Sequence, residues 1–402
     1  MRRILFQGNL WSSKLSPVRI ALDIRRMADF GIATYIRNIV RTLGRIDHSN
    51  EYYLIGLAER LREIGELPSN FHSISFVEHE PSLRTYLEFR NLVRRTNCDL
   101  VHVPHTFWRP RPTHCPYVMT VHDVLDYMYR VKGHSNFSQF IHYRMTRFAL
   151  HHAARIFAVS NFTKKDVARL FHVPEPKIEV VYNALDDRFR LGPTNDADKQ
   201  MLAERYQVHY PFILYAGRIS PHKNVVRIIE AFSALKTELA KEEKLEDLKL
   251  IIIGDEVSKH PDLRRAVIKS GVQYDVRFLG FIPIEVLRIF YDTAKLFIFP
   301  SLYEGFGLPP LEAMAHGTPV VASNTSSLPE VVGKAAVLVN PENVFEISRA
   351  MLRVLTDQTL REKMKIAGKC QAEKFSWETS ARRMIEVYDE VVASQRKSVP
   401  VA

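Results

Sequence analysis

Along nearly all of the 402-residue chain, short β-branched and aromatic runs alternate with helix-period patterns, in two successive series. Alternation of this kind constrains the fold strongly. A strand, a helix and another strand in sequence favour parallel pairing, with helices covering both faces of each sheet. In the first series the strand candidates lie at 18–23, 52–57, 74–77, 100–103, 117–121, 156–159 and 178–181. A helix is predicted over 32–43, where Ile32, Tyr35, Ile36, Ile39 and Leu43 recur at helical spacing. The second series has strand candidates at 212–216, 250–253, 276–279, 296–299 and 320–322. Between the two, residues 191–199 (LGPTNDADK) lack apolar periodicity and read as a linker. The sequence therefore predicts two α/β domains, 1–192 and 193–375. A final amphipathic segment, 376–402, is expected to cross back to the first domain. Residues 1–17 precede the first convincing strand and are read as an edge addition or a misassigned start.

Composition narrows the function classes. Hydrophobic residues make up 46% of the chain, enough for more than one core. No apolar run approaches the ~20 residues of a membrane span. Gln7, Gly8 and Asn9 interrupt the first apolar run and make a poor signal peptide, so a cytoplasmic location is expected. Cys98, Cys115 and Cys370 are too few and too widely spaced to suggest a disulfide framework or a zinc site. The net charge of +11 is lopsided, with +10 in residues 1–190 and +1 in 191–402. An excess confined to one half points to an anionic partner, either phosphate-bearing substrates or a membrane surface, or to a solvated surface that maintains solubility. No helix-turn-helix or RNP-like pattern supports nucleic acid as a partner.

Chemistry concentrates at 296–332, LFIFPSLYEGFGLPPLEAMAHGTPVVASNTSSLPEVV. A buried strand leads into the loop 301–308, and a helix is predicted to open at Pro309 and Pro310, since proline is tolerated in a first turn. Gly305 and Gly307 let the backbone approach a ligand, and free amides there, with Phe306 and Leu308 between and after them, suit anions and hydroxyls. Glu304 and Glu312 stand eight residues apart, Glu312 being placed in the helix's first turn. Each carboxylate can accept two hydroxyl donors, as vicinal diols of a hexose or ribose offer. A dipole-complementing role for Glu312 is the plainer alternative.

The segment YAGRISPHKN, 215–224, follows a strand and precedes the helix predicted over 225–235. It crosses the carboxyl end of the sheet, where α/β proteins bind ligands, and presents Arg218 and Lys223 for a diphosphate. At 324–330, Ser326 or Ser327 with Glu330 forms a candidate capping box, with a phosphate site as the equal alternative. In the first half, Gly31 precedes a helix, and His122 and Asp123 end an apolar strand. Asn161 or Thr163 is placed as the cap of a further helix.

Taken in order, these motifs resemble glycosyltransferase family 4, retaining enzymes of the two-domain GT-B fold. The marks are E-x7-E from Glu304 to Glu312, GRISPHKN, TVHD, VSNFTKKD, VVYN and FSW. The resemblance covers the chain from about Val18 to Val392. It implies two Rossmann-like parallel-sheet domains facing a cleft, with a C-terminal crossover helix. Arg218 and Lys223 would bind the donor diphosphate, Glu312 the nucleotide ribose and Glu304 the sugar hydroxyls. The amides of Gly305, Phe306, Gly307 and Leu308 would face sugar and phosphates. Gly31 would approach the diphosphate, and His122 would line the sugar pocket. No metal and no separate cofactor are expected.

The resemblance implies a nucleotide-sugar donor and a glycan acceptor, and the PHKN variant favours GDP-mannose. The +10 charge and the segment 137–155, where Phe137, Phe140, Tyr143 and Phe148 interleave with Arg144 and Arg147, suggest a lipid-linked glycan acceptor at an anionic inner membrane surface. UDP-, ADP- or dTDP-sugars and a soluble acceptor are the alternatives. One departure from the family pattern is a single glycine at 29–33, where two or three are usual. His316, where a small residue or cysteine is more usual, is read as packing. A dehydrogenase is disfavoured because no G-x-G-x-x-G follows a strand. A degenerate, non-catalytic binder is disfavoured by the intact set of Glu304, Glu312, Arg218 and Lys223.

Overall fold

The computed structural model describes residues 17–27, 30–76, 83–106, 115–128, 135–190, 192, 194–239, 245 and 247–398. Residues 1–16 and Asp29 of the single-glycine loop lie outside these. Among the described residues, thirteen strands form two wholly parallel sheets. The first contains β1 (Arg19–Asp23), β2 (Glu51–Gly56), β3 (Phe71–Ser75), β4 (Leu100–Val103), β5 (Tyr117–Val121), β6 (Arg155–Ala158) and β7 (Ile178–Val180), in the order β3-β2-β1-β4-β5-β6-β7. The second contains β8 (Phe212–Ala216), β9 (Lys249–Ile253), β10 (Val276–Gly280), β11 (Leu296–Phe299), β12 (Val320–Ser323) and β13 (Val337–Val339), in the order β10-β9-β8-β11-β12-β13. In both, the chain starts mid-sheet, winds outwards on one side, then returns and winds outwards on the other. The switch falls between β1 and β4 in one sheet and between β8 and β11 in the other, where doubly wound folds bind ligands.

Burial on both faces explains the continuous apolar runs. Every residue of β5, β8 and β11 is buried. β13 escaped the sequence reading because Val-Leu-Val is only three residues long and partly exposed. The stretch read as linker is helical in its second half. Asn195 caps the helix Asp196–Tyr206 in a reciprocal box with Asp198, and these polar residues mark a helix start.

Cys98 and Cys115, far apart in sequence, sit with Sγ atoms 3.7 Å apart at the entries to β4 and β5, both as free thiols. Strand adjacency brings them together, which spacing alone could not show.

The last helix, Trp377–Ser398, leaves the second domain and packs against the helix Phe30–Ile46 of the first. Trp377 donates its indole N–H to the Leu185 carbonyl at 3.0 Å, and the Tyr388 hydroxyl meets His102 Nδ1 at 2.7 Å. One apolar core thus runs through both domains and this helix.

Candidate functional site

The second-domain wall is built at the carboxyl ends of β8 and β11. After β8 the chain turns through Pro221–Lys223, and left-handed Asn224 (φ 64°) redirects it into the helix Val225–Leu239. Buried Asn224 donates from Nδ2 to the carbonyls of Pro300 and Pro341 at 3.0 and 2.6 Å, fastening the turn to the end of β11. Lys223 is thereby aimed at Glu304, and its Nζ reaches both carboxylate oxygens at 2.6 and 2.8 Å. The two side chains are 15% and 10% exposed, so the pair is largely desolvated yet open to the cleft. Arg218 is exposed, and its guanidinium makes no ion pair among the described residues.

The loop carrying Glu304 is fixed from behind. Glu304 donates its N–H to Ser326 Oγ at 3.1 Å. Ser327 Oγ donates to the carbonyls of Glu304 and Phe306 at 2.9 and 2.6 Å. The capping box expected at 326–330 therefore does not form. Ser327 precedes the helix Leu328–Val332, but its hydroxyl is taken by the loop, Ser326 is left-handed (φ 57°), and Glu330 is engaged elsewhere. The helix after the loop is Leu308–Ala315, opening one residue before the expected proline, with left-handed Gly307 (φ 116°) ahead of it.

Glu312 is the fifth residue of that helix and lies beyond its first turn, which removes the dipole explanation. It accepts the Tyr291 hydroxyl at 2.9 Å, and burial pushes its carboxyl up to about 7. His316 also does more than pack: its Nδ1 lies 2.8 Å from Asp292, whose other oxygen accepts the Thr194 N–H at 3.2 Å.

Across the cleft, β5 delivers His122. Its Nε2 is 2.9 Å from the Pro104 carbonyl, which can only accept, so the proton sits on Nε2 and Nδ1 remains an acceptor. Burial lowers its pKa to about 4, and the Tyr35 ring meets it edge-on at 4.8 Å. Asp123 follows, its carboxyl raised by desolvation and by nearby Asp126 and Glu304.

The glycine at 305 has a reason in the other domain. A Cβ there would fall 1.8 Å from the His122 carbonyl oxygen, so the two walls meet backbone to backbone. Phe306 is buried against Phe375, and only its main chain is available to a ligand. Gly31 is exposed in the first turn of its helix, with no atom within 4 Å of where a Cβ would stand.

The structure thus brings Lys223 to Glu304 and packs Gly305 against His122. Gly31 stands in the first turn of the helix Phe30–Ile46, Arg218 in the turn after β8 and Glu312 in the helix that follows the Glu304 loop.

Two further groups were missed. Asp23, ending β1, is buried and chelated by Arg25, whose Nε and Nη2 donate at 2.9 and 2.7 Å, with His105 Nε2 3.4 Å away. Burial alone would raise the Asp23 carboxyl, but Arg25 and His105 outweigh it and hold it well below the usual range. An acidic residue directly after the apolar run Ile20–Leu22, at the switch point, was the available signal. The second group is Ser160, which caps the helix Asn161–Phe171 in place of Asn161 or Thr163. Its Oγ accepts the Thr163 N–H at 3.0 Å and donates to the Gly305 carbonyl at 2.7 Å. Among the described residues there is no cluster of three or more metal-ligating side chains. Nor is any helix there long and apolar enough to cross a membrane.

Two doubly wound sheets facing each other across such a cleft define the GT-B class. A glycosyltransferase from Rickettsia africae ESF-5 superposes over 94% of this chain and 99% of its own, with a TM-score of 0.74 at 19% identity. The glycosyl transferases group 1 family matches residues 197–371, and glycosyltransferase family 4 matches 31–189. An uncharacterized glycosyltransferase of Methanocaldococcus jannaschii is 30% identical over 68% of this chain and 69% of its own. The chain belongs to glycosyltransferase family 4. It is also 34% identical, over 60% of its length, to the O-antigen chain mannosyltransferase B of Escherichia coli, and spans 61% of that relative. It spans only 34% of a longer relative, the serotype-specific mannosyltransferase WbdA of Escherichia coli, at 30% identity.

Proposed function

We propose that the protein is a retaining, metal-independent glycosyltransferase that moves a hexose, mannose from GDP-mannose as first choice, onto a glycan or lipid-linked glycan in cell-surface polysaccharide synthesis. The observation that carries this reading is the desolvated Lys223–Glu304 pair held opposite His122, in a chain whose relatives include O-antigen mannosyltransferases. In the proposed complex the donor diphosphate takes Lys223 and Arg218, cations that stabilise the departing nucleotide as charge develops on it. Released from Lys223, Glu304 accepts sugar hydroxyls. Glu312 accepts the ribose diol, and Gly31 leaves room for phosphate oxygens. His122, neutral above about pH 5, presents Nδ1 as an acceptor to a sugar hydroxyl beside the reacting carbon. The leaving nucleotide and the incoming acceptor share one face of the sugar, and a donor phosphate oxygen takes the acceptor's proton.

Calorimetry with GDP, UDP, ADP and dTDP tests the donor site, with Glu312→Ala and Lys223→Ala as controls. Tight binding of one nucleotide, lost in both variants, supports the reading, and binding of none overturns it. Proton NMR of the product's anomeric centre checks retention, and full turnover in EDTA checks metal independence. Preference for UDP, ADP or dTDP would move the donor to the corresponding sugar class and reopen the case for a soluble acceptor.

We place the acceptor at an anionic, cytoplasmic membrane surface because of the helix Asn136–His152. Phe137, Phe140, Ile141, Arg144 and Phe148 recur on one exposed stripe of it, and it contains no acidic residue. Vesicle flotation checks this. Binding should require anionic lipid and weaken with salt, and equal binding to neutral vesicles at low salt would exclude it.

A further inference from the structure

We infer that Glu330 is a positioning residue that clasps the two domains together and so holds the donor loop in register with His122, an inference that rests on the donor-site reading above. Glu330 belongs to the second domain, yet among the described residues all four hydrogen bonds to its carboxylate come from the first. The backbone N–H groups of Asn161 and Phe162 donate to its two oxygens at 3.0 and 3.2 Å. Asn161 Nδ2 and the Tyr182 hydroxyl each donate to Oε1 at 2.7 Å. Asn161 Nδ2 also donates to the Tyr182 oxygen at 2.7 Å, which orients the phenol so that its proton points at Glu330. The carboxylate therefore sits on the N-terminus of the eleven-residue helix Asn161–Phe171, where first-turn amides lack intrahelical partners and the dipole favours an anion.

The same helix start holds the donor loop. Ser160 Oγ and Thr163 Oγ1 both donate to the Gly305 carbonyl, at 2.7 and 3.0 Å. One residue along the helix axis from the Glu330 contacts, the second domain's catalytic loop is thus gripped by its own main chain. On the second-domain side, Ser326 and Ser327 tie that loop to the segment leading into Glu330. The result is a closed circuit: Glu330 to helix start, helix start to Gly305, Gly305 to the Ser326–Ser327 turn, and the turn back to Glu330. Gly305 lies against the His122 carbonyl, so anything that loosens the circuit separates Glu304 from His122. Glu330 supplies the one full charge in it. A glutamine of the same size keeps one acceptor oxygen and turns an N–H₂ towards donors, losing charge-assisted bonds without altering the donor pocket.

Hydrogen exchange and kinetics on the full chain test this together. In the unliganded protein the Asn161 and Phe162 amides, which a helix start ordinarily leaves open, should exchange slowly. In Glu330→Gln they should exchange at least about tenfold faster, as expected for losing charge-assisted bonds. In the same variant kcat should fall at least about tenfold while the nucleoside diphosphate Kd stays within about twofold, because the nucleotide is held by the second domain. Tyr182→Phe removes one of the four bonds to Glu330, together with the bond from Asn161 to the phenol, and keeps the charge, so it should move exchange and kcat in the same direction by less. That variant decides the matter if Glu330→Gln does not fold. Unchanged exchange, unchanged kcat, or a Kd that weakens in step with kcat would overturn the inference. Absence of nucleotide binding by the unaltered protein would instead overturn the donor-site reading, and the exchange result would still judge the clasp.

Discussion

The two walls of the cleft are assembled by different physics. On the second-domain side the groups that face the cleft are held by short local hydrogen bonds: Asn224 to the end of β11, Ser326 and Ser327 to the Glu304 loop, Tyr291 to Glu312. On the first-domain side the comparable position at β1 is held by a buried, chelated carboxylate, Asp23 with Arg25, and by Arg25 lying 4.2 Å over the Phe89 ring. In net charge the second half of the chain is nearly neutral, whereas the first half carries almost the whole excess. Two doubly wound sheets, of seven and six strands, thus carry a chelated buried carboxylate on one wall and the Lys223–Glu304 pair on the other. The difference teaches that the shared fold fixes only where a site can lie. Its chemistry is set by residues just past the strand ends.

That contrast can be broken most severely at Glu304. Glu304→Ala leaves Lys223 without its partner and removes the acceptor for sugar hydroxyls, so kcat should drop roughly 10³-fold. Steady-state turnover with the preferred donor checks it, and a loss under about tenfold would move the catalytic weight to the first wall. Next comes Gly305→Ala. Its Cβ must displace the His122 carbonyl, so kcat should fall about 100-fold through misplacement, with nucleotide Kd nearly unchanged. Calorimetry beside turnover separates the two quantities.

The third effect is a pH dependence. Glu312 has its carboxyl raised to about 7, above the ordinary glutamate value of 4.5, so its ionised form is disfavoured in the free protein. Ribose hydroxyls need that ionised form. Nucleotide affinity should therefore strengthen as pH rises towards about 7 by up to about tenfold per unit, then level off. The linked stability runs the other way: the Glu312 contribution is fully present below 4.5 and is lost as pH rises through about 7. In Glu312→Gln both dependences should flatten. Titration calorimetry and thermal melts at pH 5.5, 7 and 8.5 read them.

The smallest effect is Gly31→Ala. With open space around the new Cβ and a helical backbone, stability should rise by about 0.5–1 kcal/mol. If turnover falls in that stabilised variant, the first wall touches the donor. If turnover is unchanged, the diphosphate belongs to the second wall alone.

How much of this was legible in the sequence depends on the range of the interaction. Strands such as β5, β8 and β11 declare themselves because a strand buried on both faces must be apolar along its length. β3 (Phe71–Ser75) has no fully buried residue and alternates polar side chains, so the sequence places it three residues late, at 74–77. Glu304, Glu312, Arg218 and Lys223 stand just after such strands or at the following helix. Those are local signals. Roles that depend on the partner domain were not legible. Gly305 read as a residue making room for a ligand, and the structure shows it making room for His122. Ser327 and Glu330 read as a local cap or a phosphate site, and the structure turns one hydroxyl onto the Glu304 loop and one carboxylate onto a helix 169 residues earlier in the chain.

By itself the sequence determined the fold class and the family, because hydrophobic period and strand-end motifs act over a few neighbouring residues. Only the tertiary structure decided which polar groups find each other across the cleft. A carboxylate or hydroxyl has several suitors of equal chemistry, and packing the two sheets selects among them by distance alone.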